Sequence, residues 1–162
     1  MNTIKKESEF CTCIVKSLNQ VGTGYKIPDA NSGFSNSSIR CFDIIGRIAN
    51  KPVYCEAKFS KTMSAFNLSR IEDHQAYFLD EFSKVKDSLC YIALGVNCAR
   101  ADIRAYIFDW RDLRELYQKK FSIHAKYLEK LSYNEIHKGT FSFDNIITKQ
   151  DLINIYGESI YD

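Results

Sequence analysis

The stretch Leu89-Cys90-Tyr91-Ile92-Ala93-Leu94-Gly95-Val96 is an almost continuous apolar run. It falls well short of the roughly 18 residues that a membrane span requires. Its length and content suit a strand buried on both faces, and such a strand lies inside a layered α/β structure. Ile103 to Phe108 gives a second strand of the same character. The chain of 162 residues has room for one compact domain, so a single domain is expected over residues 1–162. With 45% hydrophobic and 26% charged residues, it is no collagen, low-complexity tract or small disulfide scaffold.

Around these strands the pattern is helical and hairpin-like. Ile4, Phe10, Cys11, Ile14, Val15 and Leu18 recur at helical spacing, which predicts a helix from about Thr3 to Gln20, with Gly22 and Gly24 at its stop. Tyr25 to Ser38 carries Pro28, Gly33 and a Ser/Asn cluster and reads as a long loop. Apolar residues flank Asp43, Ala49-Asn50-Lys51 supplies a turn, and Pro52 to Lys58 follows as the second strand of a hairpin. Ile71, Phe78, Leu79, Phe82 and Val85 predict a helix over Leu68 to Lys86. Asp109 is placed to cap a helix from Trp110 to about Phe121. Ser132-x-x-Glu135 has the form of a capping box, and Leu152, Ile153 and Tyr156 suggest a last short helix. The order of elements predicts an α/β sandwich with a mixed central sheet.

Charge and cysteine content narrow the functional classes. The net charge of +2 gives no global field for a polyanion, so any nucleic-acid surface must be a local patch. Six cysteines, none in C-x-x-C spacing, and three scattered histidines argue against a zinc ribbon. The N-terminus lacks the charged start, apolar stretch and cleavage site of a secretory signal. A cytoplasmic location is expected, with the cysteines acting mostly as small hydrophobes.

One segment carries chemistry: Arg40-Cys41-Phe42-Asp43-Ile44-Ile45-Gly46, then Val53-Tyr54-Cys55-Glu56-Ala57-Lys58. Glu56 and Lys58 stand two apart and so share one face of a strand. A hairpin can bring Asp43 to meet them. Two carboxylates beside a lysine suit a hard divalent cation whose remaining positions go to water and phosphate. The other reading is a surface salt bridge between hairpin strands. Bulky apolar neighbours place these charges near the core, where an unpaired charge is costly, and so favour the metal. Gln75 falls inside the apolar stripe of its helix and needs partners there. It either caps buried backbone groups or binds a metal water or a phosphate oxygen.

Together these residues resemble the PD-(D/E)xK nuclease superfamily, and within it the RecU-type Holliday junction resolvases and their shorter phage-type relatives. The likeness lies in order and spacing: Phe42-Asp43-Ile44-Ile45-Gly46, then Glu56-Ala57-Lys58, then Phe66-Asn67-Leu68-Ser69-Arg70-Ile71 leading to His74-Gln75. Weaker likeness extends to Tyr25-Lys26-Ile27-Pro28-Asp29 and Ser37-Ser38-Ile39. The resemblance implies a restriction-endonuclease-like α/β/α sandwich and a magnesium-dependent endonuclease, with manganese as a substitute, that cuts branched DNA such as a four-way junction as a homodimer. It makes Asp43 and Glu56 metal ligands, Lys58 the residue that positions water or offsets charge, and Gln75 the supporting helix position.

The chain departs from the pattern in the first helix, where relatives carry a glutamate and Cys11 stands here. Glu7, one turn earlier on the same face, either supplies that carboxylate or is an ordinary first-turn acid. The segment between Tyr25 and Asp43 is also too short for the long stalk of larger relatives. Arg40, Lys61, Arg70, Lys26 and Ser38 are candidate DNA contacts, and Tyr25, Phe34 and Phe59 are loop candidates for base stacking. Two alternatives remain open: a nuclease for other DNA forms, in phage DNA processing or defence, and a non-catalytic DNA-binding module with the same fold.

Overall fold

The structure is a computed structural model that describes residues 4–28, 40–99 and 101–162. The expected loop positions Asn31 to Ser38, including Phe34 and Ser38, lie outside the described residues. The first half of the chain contains α1 (Glu7–Val21), β1 (Gly22–Lys26), β2 (Ile44–Ile48), β3 (Lys51–Ser60), β4 (Phe66–Asn67) and α2 (Asp73–Ser83). The second half contains β5 (Leu89–Ala99), β6 (Asp102–Asp109), α3 (Trp110–Gln118), β7 (Ser122–Ile123), α4 (Ala125–Leu128), β8 (Asn134–Glu135), β9 (Ile146–Ile147) and α5 (Lys149–Tyr156).

The central sheet runs β1-β2-β3-β5-β6-β8, and β9 also pairs with β6. Strands β1, β2 and β3 are antiparallel neighbours, β3 and β5 are parallel, and β5 and β6 are antiparallel. The sheet is therefore mixed, as expected. β4 and β7 form a separate two-stranded pair.

Alternation along the strands divides the core into two layers. Val53, Cys55, Ala57, Tyr91 and Ala93 pack under α1, whose Phe10, Ile14 and Leu18 fill that side. Cys90, Ile92, Leu94 and Val96 face the opposite layer with Leu79 of α2 and Trp110, Leu113 and Leu116 of α3. Phe10, Ile14 and Leu18 are each fully buried at i, i+4, i+8 spacing, worth roughly 1.5–3 kcal/mol apiece. Gly95 is what lets α1 approach: a β-carbon there would stand 2.8 Å from the Phe10 ring.

Helix starts follow local chemistry. Asp109 accepts from the Arg111 amide at 2.9 Å and caps α3, and Thr148 with Asp151 forms a capping box on α5. The hairpin turn places Ala49 at φ 52° between β2 and β3.

The structure corrects several boundaries. Gly22 to Lys26 is a strand, not a helix stop followed by loop, because its two glycines hide the alternation while allowing close approach. A β-carbon at Gly24 would meet Leu18 at 2.8 Å. The first helix begins at Glu7 after an extended Lys6, later than Thr3. Leu68–Arg70 is a separate 3-10 turn held by the Asn67 side chain, so α2 starts only at Asp73. Ser132 to Glu135 starts no helix, since Asn134 and Glu135 pair with Ala105 and Arg104 as β8. No helix among the described residues is long and apolar enough to cross a membrane.

Gly95→Ala should lower stability by about 1–3 kcal/mol in chemical denaturation, and adding Phe10→Leu should recover part of the loss. An unchanged midpoint in the single variant would contradict this account of how α1 seats on the sheet.

Candidate active site

The antiparallel register of β2 and β3 pairs Ile44 with Cys55, so Asp43, one residue before β2, stands opposite Glu56. Directly opposed residues of an antiparallel pair project to the same side. Alternation then carries Lys58 to that side with Glu56. Asp43 is 1%, Glu56 2% and Lys58 7% exposed, which sets aside the surface salt bridge.

Each group is held by named partners. Asp43 Oδ2 accepts from the Ala57 amide at 2.9 Å, and Oδ1 is paired with the Arg40 guanidinium. Lys58 Nζ donates to Glu56 Oε1 at 3.0 Å and to Gln75 Oε1 at 3.2 Å. Gln75 Nε2 donates to the same Glu56 oxygen. Gln75 Oε1 also accepts from the Glu72 amide at 2.9 Å, closing the capping box that starts α2. The capping role expected of Gln75 is therefore present, and the same side chain also bonds to Lys58 and Glu56. Phe42 and Tyr54, from the chain on either side of the hairpin, pack with Phe82 of α2, with ring centroids 4.6–5.2 Å apart.

Burial and the neighbouring Asp43 charge push the Glu56 carboxyl up to about 8, and Lys58 only partly offsets them. The two acids are close enough for the protonated Glu56 to hydrogen-bond to Asp43. A buried pair of hard oxygen donors kept together by a proton is a donor set that fits a divalent cation, whose charge would replace that proton. Among the described residues no three His, Cys, Asp or Glu side chains gather into a metal-holding group. Among the described residues, Glu7 included, the pair accordingly has no third such ligand in this arrangement. Glu7 is half-buried at the start of α1, and its charge, with that of Asp43, contributes to raising the Cys11 thiol to about 12, chiefly a burial effect.

The expected DNA contacts separate. Lys26 and Lys61 are exposed at the end of the sheet that carries the site. Arg70 is engaged with the Phe59 carbonyl at 2.9 Å and Ser60 Oγ at 3.1 Å, bracing the end of β3. Tyr25 is 64% exposed on β1, whereas Phe59 is half-buried against Phe10. Sequence reasoning missed the hold of Arg40 on Asp43. The only sequence signal for it is the i, i+3 spacing just ahead of a strand.

With this geometry in place, comparison with known proteins gives one decisive match. The family model for RecU, recombination protein U, matches residues 19–155. The chain belongs to the RecU family. Membership carries the class that the motifs implied, the Holliday junction resolvases of DNA recombination. The match starts at Asn19 and so leaves Glu7 and Cys11 outside it. Among solved structures, Archaeoglobus fulgidus Hjc, described as a Holliday junction resolvase from an archaeal hyperthermophile, is 16% identical. That likeness covers 81% of this chain and 88% of that one, with a TM-score of 0.43. No curated protein sequence matches this RecU-family chain.

The Glu56 shift fixes a pH dependence for the metal-free protein. Between its ordinary value of 4.5 and about 8, Glu56 is protonated when folded and ionised when unfolded. Its stabilising contribution is full below the lower value and is lost as pH rises through the upper one, by at most about 1.4 kcal/mol per pH unit. Melting curves in EDTA should show wild type losing stability from about pH 5 to about pH 8 and Glu56→Gln losing clearly less. Parallel curves for the two proteins would contradict the assignment.

Proposed function

We propose that this RecU-family chain is a metal-dependent endonuclease that hydrolyses phosphodiesters of branched DNA, with Asp43 and Glu56 as the metal ligands and Lys58 and Gln75 completing the catalytic site. The single observation that carries the reading is the buried, opposed carboxylate pair with Lys58 fastened to it. Magnesium suits the all-oxygen donor set, and manganese could replace it. Once bound, the cation would supply charge stabilisation at the phosphodiester and lower the pKa of an attacking water.

The chain's own residues do the rest. The Lys58 ammonium has three hydrogens, of which Glu56 and Gln75 take two, so the third is aimed by those bonds at an incoming water or phosphate oxygen. Gln75 fixes Lys58 and Glu56 to each other and to the start of α2, which keeps the constellation from loosening. Ala57 sets one oxygen of Asp43 through its amide. Lys26 and Lys61 would contribute sequence-independent phosphate affinity, and Arg70 would act mainly through the β3 end that it braces. Glu7 remains the candidate for a third carboxylate if DNA or metal draws α1 inward. A four-way junction presents opposed strands, so the working unit is a homodimer with one site for each. Six free thiols suit a reducing cytoplasm.

Asp43→Asn and Glu56→Gln should each cut four-way junction cleavage by at least about 10²-fold while leaving junction affinity within a few-fold of wild type. Cleavage and gel-shift assays on the same preparations, with flap, duplex and single-stranded DNA alongside, read both quantities. Full activity in either variant would overturn the assignment; a preference for another DNA form would move the substrate but not the chemistry.

A further inference from the structure

A concentration of positive charge lies outside the site. Between Lys119 and Lys130 the chain places Lys119, Lys120, Lys126 and Lys130 against a single acid, Glu129. That surplus is larger than the +2 of the whole chain, so the remaining residues together are net negative. All four lysines are exposed. Lys84, Lys149, Arg104 and Arg114 each lie on a carboxylate, whereas none of these four forms an ion pair among the described residues. Lys119 is turned onto the Ile160 carbonyl at 3.2 Å, which leaves Lys120, Lys126 and Lys130 pointing their charge at solvent.

Two of these three are organised rather than loose. The Lys126 and Lys130 ammonium groups stand 4.7 and 5.7 Å from the ring centre of Tyr127 in α4, and Tyr156 of α5 packs against the same ring at 4.3 Å. The segment is also tied to the site. Ser122 in β7 pairs with Asn67 in β4, and Lys120 lines one cavity with Ser69 and Ile71. Arg70, next to both, bonds to Phe59 and Ser60, the residues that follow Lys58 on β3. Asp73 shares that cavity, but one of its oxygens is taken by the Tyr117 hydroxyl at 2.7 Å.

Resting on the reading of branched DNA as the substrate, we infer that Lys120, Lys126 and Lys130, with Tyr127 as their support, form a second DNA contact that holds backbone phosphates of the duplex arm leaving the site. An ammonium has three donors, so it can meet a phosphate oxygen while keeping its ring. A lysine already seated on a ring loses less freedom on meeting a phosphate than a loose one does. Phosphate contacts fix register and orientation on a duplex and carry no sequence information. This surface therefore supplies affinity and orientation, and the chemistry stays with the carboxylate–lysine cluster.

Two triple variants with the same change of charge test the assignment. One carries Lys120→Gln, Lys126→Gln and Lys130→Gln; the other carries Lys16→Gln, Lys51→Gln and Lys86→Gln at exposed positions elsewhere. Binding of a four-way junction in EDTA is titrated against salt, with circular dichroism reporting the fold of each protein. The first triple should lose about two to three units of the log–log salt slope and, at low salt, bind on the order of 10²-fold more weakly. The second should stay within about half a unit of the wild-type slope. Cleavage by the first triple at saturating junction in Mg²⁺ should remain within a few-fold of wild type. A further measurement needs no variant: acetylation of wild-type lysines by an N-hydroxysuccinimide ester, mapped by mass spectrometry. Junction DNA should slow it several-fold at Lys120, Lys126 and Lys130 and leave Lys51 and Lys86 unchanged. Equal slopes in the two triples, or a wild-type slope in the first, would overturn the inference while leaving the nuclease reading intact. Binding that depends on the patch without cleavage of any DNA form would keep the inference and remove the nuclease chemistry. Wild type that binds no DNA would remove both.

Discussion

Asp43 and Glu56 meet at the end of the β2–β3 hairpin with both carboxyl groups out of water, and nearly every polar contact nearby responds to that meeting. Two like charges so placed and so poorly solvated cannot both persist without compensation. On the Asp43 side the compensation is the Arg40 guanidinium and the Ala57 amide. On the Glu56 side it is the Lys58 ammonium, the Gln75 amide and a proton held up to about 8. Such a cluster is costly for stability alone, because apolar residues of similar volume would serve the core as well. Its retention makes sense where the charge is to be used.

The fold presents this cluster on rigid elements. Glu56 and Lys58 ride on β3, whose neighbours are β2 and the buried β5, and Gln75 rides on the first turn of α2. Bonds from Gln75 to Lys58, Glu56 and the Glu72 amide join helix capping and site geometry in one side chain. A change at position 75 therefore acts on both at once. The aromatic cluster of Phe42, Tyr54 and Phe82 closes the gap between that helix and the hairpin.

Much of the site was legible because it obeys simple periods. The two-residue alternation put Glu56 and Lys58 on one face, the turn at Ala49-Asn50 set the register that brings Asp43 opposite, and the helical stripe turned Gln75 inward. The layered sheet was legible from the apolar runs that became β5 and β6. What escaped depends on contacts that no local pattern encodes. β1 is glycine-rich and carries no readable alternation. The 3-10 turn at Leu68 has a local cap in Asn67, but the Leu68 amide is anchored on the Phe121 carbonyl, far along the chain. β8 exists only because Ala105 and Arg104 offer an edge. The partnership of Arg40 with Asp43 hides behind the ordinary expectation that an arginine beside a nuclease motif reaches for DNA.

The most direct measurement is anomalous diffraction from crystals soaked in Mn²⁺. The account predicts one peak bridging the Asp43 and Glu56 carboxylates at about 2.0–2.3 Å from an oxygen of each. Density confined to other residues, or none in crystals soaked well above physiological metal, would contradict the claim that this buried pair is a metal site.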